Sequence, residues 1–392
     1  MLIKNLPVPS PFAQFRSDRL KSKIIKKIIR QGPLTFAHYM RLALYSRNLG
    51  YYSANTQKFG KNGDFVTAPE ISSIFSRCLA RQCHQVLRNL KGGDILELGA
   101  GSGIMAIHIL KELQSSQCPP IRYFILEISE NLRKFQRKRF REEIPELFSC
   151  IVWVNKLPTD FIGIIVGNEV IDSLPVHKFK IQNNSVKEMY VDCIDFEEKI
   201  LSWKIDDPSS SNLIQQIEHL EINFPNDYES EVNLLLESWI ISLANVLKKG
   251  IILLIDYGFP QHEYYHPNRS QGTVTCHYQH YSHFNPLILP GIQDITAHVD
   301  FTAVAEIAAC NQLTVAGFVH QADFLLNCNI VSFISSENSM ERYQNTQQLK
   351  KLVFPSEMGE FFKAIALTRN YSSTLLGFTR RNQTARLSLK IN

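Results

Sequence analysis

Asp94-Ile95-Leu96-Glu97-Leu98-Gly99-Ala100-Gly101-Ser102-Gly103 is the stretch that decides the fold. Its first five residues make a short, largely apolar run of strand length, and a helical stretch follows from Ile104 to Leu113. Strand, glycine turn and helix in this order form the opening unit of an open α/β sheet, with the turn at the strand's carboxyl end, where such sheets bind ligands. The glycines allow a tight turn and a close approach of a ligand to the backbone. The helix that follows adds N–H groups with no partner inside the helix.

Working outward, the same texture recurs at Tyr123 to Leu126, Ile151 to Val154, Ile164 to Val166 and Ile251 to Ile255. Near-continuous Ile, Leu and Val in short runs fit parallel strands covered on both faces. Their alternation with helical stretches predicts a doubly wound α/β fold with right-handed crossovers. Residues 1–90 read differently, as a helical segment. Ile24, Ile25, Ile28 and Ile29 repeat at helical spacing after Ser17-Asp18, which offers an N-cap. Phe36, Tyr39, Met40 and Ala43 mark a second helix, and another runs from about Ile71 to Leu90. Between them, Gly50-Tyr51-Tyr52 through Gly60, Gly63 and Asp64 is rich in turn formers. The remaining domain, 91–392, is expected to carry two insertions, at about 176–228 and 257–299. The first reads as a hairpin followed by the polar Asp206 to Ser211 linker, and the second is rich in His, Tyr, Pro and Asn. Insertions of this length at strand carboxyl ends commonly build an extra lobe or carry function.

Composition narrows the class. Of the 392 residues 44% are hydrophobic and 20% charged, enough to bury a large core. A net charge of +5, much of it between Lys21 and Arg30, is low for a general nucleic-acid binder. The eight cysteines are scattered without a CxxC pair, and the histidines at His262, His266, His277, His280 and His283 lack metal-ligand spacing, so no metal is expected. No apolar run reaches the roughly 18–20 residues of a bilayer span, and the N-terminus has no apolar signal region. The expectation is a cytoplasmic protein without membrane insertion. A basic N-terminus nearly free of acids before Glu70 also resembles a transit segment, which would mean the mitochondrial matrix in a eukaryote.

The glycine loop fits two nucleoside cofactors. A dinucleotide site calls for G-x-G-x-x-G, but here Ile104 follows and the pattern is G-x-G-x-G. Glu97 would repel a pyrophosphate, whereas its carboxylate suits the ammonium of a methionine group. Glu127, closing the next strand, is placed to accept hydrogen bonds from ribose hydroxyls, which both cofactors possess. Glu97, Gly99, Gly101, Gly103 and Glu127 are therefore read as binding S-adenosylmethionine in preference to NAD.

The fourth strand runs out into Gly167-Asn168-Glu169-Val170-Ile171-Asp172-Ser173-Leu174-Pro175. Methylases that act on a flipped base usually carry Asn or Asp followed by Pro-Pro and an aromatic here; a carboxylate stands in their place. It suits a cationic acceptor, and a guanidinium pairs with a carboxylate in bidentate fashion while leaving one nitrogen to be aimed at the methyl. Glu169 is the first candidate for that role and Asp172 the second. The competing reading makes Asp172 a helix N-cap and Glu169 a cofactor contact. His298, sharing an extended face with Asp294 and Thr296, is either a base or a histidine tying down a loop.

These segments together resemble the MidA-like methyltransferases. The resemblance is carried by Gly50-Tyr51-Tyr52, Gly63-Asp64-Phe65-Val66-Thr67-Ala68-Pro69-Glu70-Ile71-Ser72, the Glu97 to Gly103 loop, Glu127-Ile128-Ser129 with Leu132-Arg133 and Gln136, and Asn168-Glu169 with Asp172 to Pro175. Asp256-Tyr257-Gly258 and Pro290-Gly291 leading into Asp294-Ile295-Thr296-Ala297-His298-Val299-Asp300-Phe301 complete it. It implies a seven-stranded class I methyltransferase core with an inserted substrate lobe and S-adenosylmethionine as cofactor. It further implies symmetric dimethylation of an arginine on a partner protein such as a respiratory complex I subunit. By similarity, Thr67, Pro69 and Glu70 line or cover the active site, and Asn168 joins the cofactor residues. Ser76-Arg77 departs from the expected Gly-Glu, which bears on partner recognition. A non-catalytic S-adenosylmethionine-binding assembly factor and a small-molecule methyltransferase stand as alternatives, and the apolar N-terminal helices could serve a homodimer.

Overall fold

The computed structural model describes residues 6–53, 67–334 and 338–387. Gly60 and the Gly63-Asp64-Phe65-Val66 part of the family block lie outside the described residues. Packing divides the chain into two units. One gathers 1–65, 171–236 and 262–298, and the other 66–170, 237–261 and 299–392.

The second unit is built on seven strands: β1 (Asp94–Leu98), β2 (Tyr123–Leu126), β3 (Ile151–Val154), β4 (Phe161–Asn168), β5 (Leu247–Phe259), β6 (Thr314–His320) and β7 (Phe362–Arg369). They lie in the order β3-β2-β1-β4-β5-β7-β6. The first four neighbouring pairs are parallel, and only β7 runs antiparallel to both its neighbours. This is the doubly wound seven-stranded architecture expected above. Ile95, Leu96, Ile164, Ile165, Val166 and Ile251 to Ile255 are buried, as central parallel strands require. Helices Ser73–Leu90 and Ile104–Ser115 add Phe75, Leu79, Val86, Ile107 and Leu110 to the same core.

Two glycines make the central strands fit. Gly163 on β4 has φ +146°, and a Cβ there would stand 1.9 Å from the Asp94 carbonyl oxygen on β1. Gly250 on β5 has φ +131°, and a Cβ there would meet the Gly163 oxygen at the same distance. Both neighbours are backbone and cannot swing aside. Gly163→Ala is therefore expected to cost about 3 kcal/mol of stability, the range of strained backbone sites, read as a lower urea midpoint. A loss under about 0.5 kcal/mol, the scale of an ordinary surface change, would contradict this account of the strand spacing.

The first unit holds the helix Pro11–Gln31, the helix Phe36–Tyr45 and two antiparallel sheets. Ser17-Asp18 does not cap the first helix. Ser10 does, its hydroxyl accepting from the Ala13 N–H, with Pro11 at the first helical position and Ser17 buried inside. One sheet is formed by Leu34–Thr35, His177–Gln182, Ser185–Asp195, Ile200–Asp206 and Glu229–Val232, and the other by Thr275–Tyr278, Tyr281–His283 and Asp294–Thr296. Leu20, Ile24, Phe36 and Tyr39 from the helices share a core with Val176, Val191, Cys276 and Ile295 from the two insertions. Residues 67–90 pack with the seven-stranded unit.

Candidate functional site

Strand register brings the carboxyl ends of the central strands to one sheet edge. Leu98 is paired with Leu126 on one side and Gly167 on the other, and Asn168 with Ile255. The glycine loop leaves from this edge. Gly99, Gly101 and Gly103 have φ of +65°, +53° and +81°, a region that residues with a Cβ seldom adopt. Gly99 N–H donates to the Leu126 oxygen at 3.1 Å, and Gly103 caps the helix Ile104–Ser115. A Cβ on Gly103 would press on the Phe140 ring at 2.8 Å. Gln136 Nε2 donates to the Gly101 oxygen at 2.8 Å, while Trp153 Nε1 donates to Gln136 Oε1 at 2.9 Å. The loop is thus held from outside by a braced amide.

Two buried carboxylates flank it. Glu97 accepts from the Tyr123 hydroxyl at 2.8 Å. Burial pushes its carboxyl up to about 7; the Tyr123 hydrogen bond opposes this shift and the nearby Glu127 adds to it. A buried acid raised in this way favours a cationic neighbour. Glu127 accepts from the Ser129 N–H at 2.9 Å and is also buried. Thr67 precedes the short helix Ala68–Ile71, in which Pro69 is buried, and Glu70 of that helix accepts a hydrogen bond from Ser102 in the glycine loop. Of the residues named by family similarity, Glu70 therefore touches the glycine loop.

At the end of β4 the chain turns sharply. Glu169 has φ +52°, unusual for a residue with a long side chain. Its N–H donates to the Ile255 oxygen at 2.9 Å, and the Val170 N–H donates to Asp256 Oδ2 at 3.1 Å. Asp256 is fully buried, so the turn is pinned to β5. Asn168 Nδ2 donates to Glu169 Oε1 at 2.9 Å, while Asn168 Oδ1 is buried with no hydrogen-bond partner among the described residues. An unmet buried acceptor beside a glycine cradle and a raised carboxyl fits a ligand that brings donors and positive charge.

Asp172 and His298 fall in the other unit. No helix begins after Asp172. The chain makes a turn, with the Leu174 N–H donating to the Ile171 oxygen, so the N-cap reading of Asp172 does not hold. The Ala297 N–H donates to the Asp172 oxygen at 2.9 Å. The strand Asp294–Thr296 stops before His298, whose N–H donates to Thr273 Oγ1 at 3.1 Å. The extended face expected for Asp294, Thr296 and His298 therefore ends at Thr296. Asp294 accepts from the Tyr52 hydroxyl at 2.8 and 3.0 Å. The departure at Arg77 is accommodated locally, for its Nε pairs with Glu112 at 2.7 Å and its guanidinium lies 4.1 Å from the Phe333 ring centroid.

Sequence reasoning missed Tyr123 and Asp256 as site residues. Tyr123 reads as an apolar strand position, and only the β1–β2 pairing brings its hydroxyl to Glu97. Asp256 had a signal, a carboxylate directly after the wholly apolar run Ile251 to Ile255, where burial demands partners.

Comparison with known proteins agrees with this geometry. A family model described as "Putative S-adenosyl-L-methionine-dependent methyltransferase" matches residues 78–319. A protein of Burkholderia thailandensis, whose crystal structure has S-adenosyl-homocysteine bound, superposes with a TM-score of 0.92 at 33% identity, covering 97% of this chain and 100% of that one. The mitochondrial protein arginine methyltransferase NDUFAF7 of Danio rerio is 28% identical over 88% of this chain and 87% of its own length. The human protein of that name is also 28% identical, over 88% of this chain and 82% of its own.

Proposed function

This chain belongs to that family of S-adenosyl-L-methionine-dependent methyltransferases, and on this premise we propose that its acceptor is an arginine side chain of a partner protein. The observation that carries the proposal is Glu169, a carboxylate held at the edge of β4 by a strained turn. The names of the NDUFAF7 relatives support the same acceptor. The family resemblance extends the proposal to symmetric dimethylation and to a respiratory complex I subunit, with the matrix as the setting in a eukaryote and the cytoplasm otherwise.

In this reading Glu97 holds the ammonium of the cofactor's methionine part and Glu127 its ribose hydroxyls. The backbone of Gly99, Gly101 and Gly103 gives the close approach, while Asn168, Thr67 and Pro69 complete the lining. The bound cofactor supplies a methyl activated on a sulfonium. Glu169 pairs with two guanidinium N–H groups of the acceptor, draws the positive charge to that side and aims the remaining nitrogen. The nitrogen that gains the methyl sheds one proton, which leaves on the side facing away from Glu169. Asp172 is the second candidate for holding the guanidinium, and His298 for removing the proton to solvent. Ethylguanidinium should therefore inhibit methyl transfer to protein, and ethylammonium at the same concentration should not, because it cannot make the paired contact. Equal inhibition by both would argue for a simple cation site and against arginine.

The raised Glu97 carboxyl gives a pH prediction. Below about 7 the free protein holds a proton there that an ammonium must displace. Affinity for S-adenosylmethionine should rise by up to about tenfold per pH unit between roughly pH 5 and 7, and Glu97→Gln should flatten that slope. The stability of the free protein moves the other way. Its folded form binds this proton more tightly than the unfolded chain, so the group costs stability as pH climbs from about 4.5 towards 7. Calorimetry across that window checks the first statement, and a wild-type slope identical to that of Glu97→Gln would refute it.

A further inference from the structure

The helix Pro11–Gln31 buries one face and, among the described residues, leaves the other without a covering element. Leu20, Ile24, Ile25 and Ile28 enter the core of the first unit, and Arg16 Nη2 donates to the Gly291 oxygen at 3.2 Å. With its inner face committed, the helix cannot roll to hide what lies outside. On the outer face Phe12, Phe15, Arg19, Lys23, Lys26 and Arg30 are all exposed. Successive members are three or four residues apart, so they form a single stripe. Phe12 is 68% and Phe15 60% exposed, and Val8, just before the helix, is 90% exposed. Asp18 is the helix's only acid and lies to the side of the stripe, where it accepts from Gln14 Nε2.

We propose that this stripe seats the protein on an anionic lipid surface, with Val8, Phe12 and Phe15 entering the headgroup region and Arg19, Lys23, Lys26 and Arg30 lying over lipid phosphates. The composition matches what a helix lying in the membrane interface needs, apolar aromatic anchors beside a row of cations. No helix among the described residues is long and apolar enough to cross a bilayer, so the contact is peripheral. A second copy of the chain is a poor occupant, since a two-fold contact through this stripe would set like charges against each other. An acidic protein would satisfy the cations but leaves the phenylalanines unexplained. Arg19 lies 5.7 Å from the Phe15 ring centroid, which keeps charge and aromatic anchor together at the same end of the helix. The inference does not depend on which acceptor the enzyme methylates.

Vesicle flotation of the full chain tests it, with phosphatidylcholine vesicles compared with vesicles containing phosphatidylglycerol, at low and high salt. The expected result is binding to the anionic vesicles alone, weakened by salt. Substituting Arg19, Lys23, Lys26 and Arg30 by Gln should reduce binding by roughly several hundredfold, about fivefold for each cation near the surface. The double variant Phe12→Ser, Phe15→Ser should lose about tenfold or more, because partitioning scales with the apolar area inserted. Both variants should keep wild-type affinity for S-adenosylmethionine, which reports that they fold. No binding to anionic vesicles, equal binding to neutral ones, or undiminished binding by either variant would overturn the proposal. So would tight capture of polyglutamate that the phenylalanine substitutions leave unchanged alongside unchanged vesicle binding, an outcome that assigns the stripe to acidic proteins.

Discussion

Glu169→Gln is expected to leave S-adenosylmethionine affinity within about twofold and to lower turnover by a factor on the order of a hundred or more, the scale of losing one electrostatic group aimed at the reacting centre. Gln keeps the length of the side chain and can still meet the Asn168 amide, so the turn bonded to Ile255 and Asp256 should persist. What disappears is the charge that pairs with the guanidinium and orients its reacting nitrogen. The two measurements separate the roles proposed for this residue. Calorimetry with the cofactor reports the ground state of the nucleoside site, and labelled methyl transfer reports the acceptor side. A parallel loss of affinity and turnover would make Glu169 a cofactor ligand and return the acceptor role to Asp172.

The second large effect belongs to Gly101→Asp. At φ +53° the position sits in the left-handed region, and its carbonyl is already engaged by Gln136. A side chain there fills the approach to the backbone and adds a negative charge to a site lined by Glu97 and Glu127. Affinity for S-adenosylmethionine should fall at least a hundredfold, about 2.7 kcal/mol, while the thermal transition of the free protein moves by only a few degrees. Unchanged affinity would refute the placement of the cofactor over this loop. Wholesale unfolding would instead show that the loop is a structural element of the core.

Much of this was legible before any coordinates. β1, β2 and β3 begin and end where their apolar runs do, and β4 and β5 extend the runs at Ile164 and Ile251 in both directions. β6 and β7 were not legible. Lys363 interrupts the apolar pattern of β7, yet it is buried because its ammonium finds the carbonyls of Glu360 and Phe361. In β6 the polar Thr314 and Gly317 hide the pattern, and Gly317 is needed because a Cβ there would collide with the Phe378 ring at 2.2 Å. Within the candidate site, residue types and their order single out Glu97, the glycines, Glu127 and Glu169. Long-range pairing was invisible, so the bonds of Ser102 to Glu70, Tyr123 to Glu97 and Val170 to Asp256 had to come from the fold. Nor does any sequence signal mark a left-handed glutamate, since a residue with a Cβ is not expected to adopt that conformation.

The central claim, methyl transfer to arginine, is tested most directly by amino-acid analysis of labelled product. Protein extract from the source cell would be incubated with the enzyme and methyl-labelled S-adenosylmethionine, then hydrolysed and resolved. The account predicts label in methylated arginine, dependent on the added enzyme and lost with Glu169→Gln. Label in lysine, in volatile methanol from esters, or only in the small-molecule fraction would contradict it.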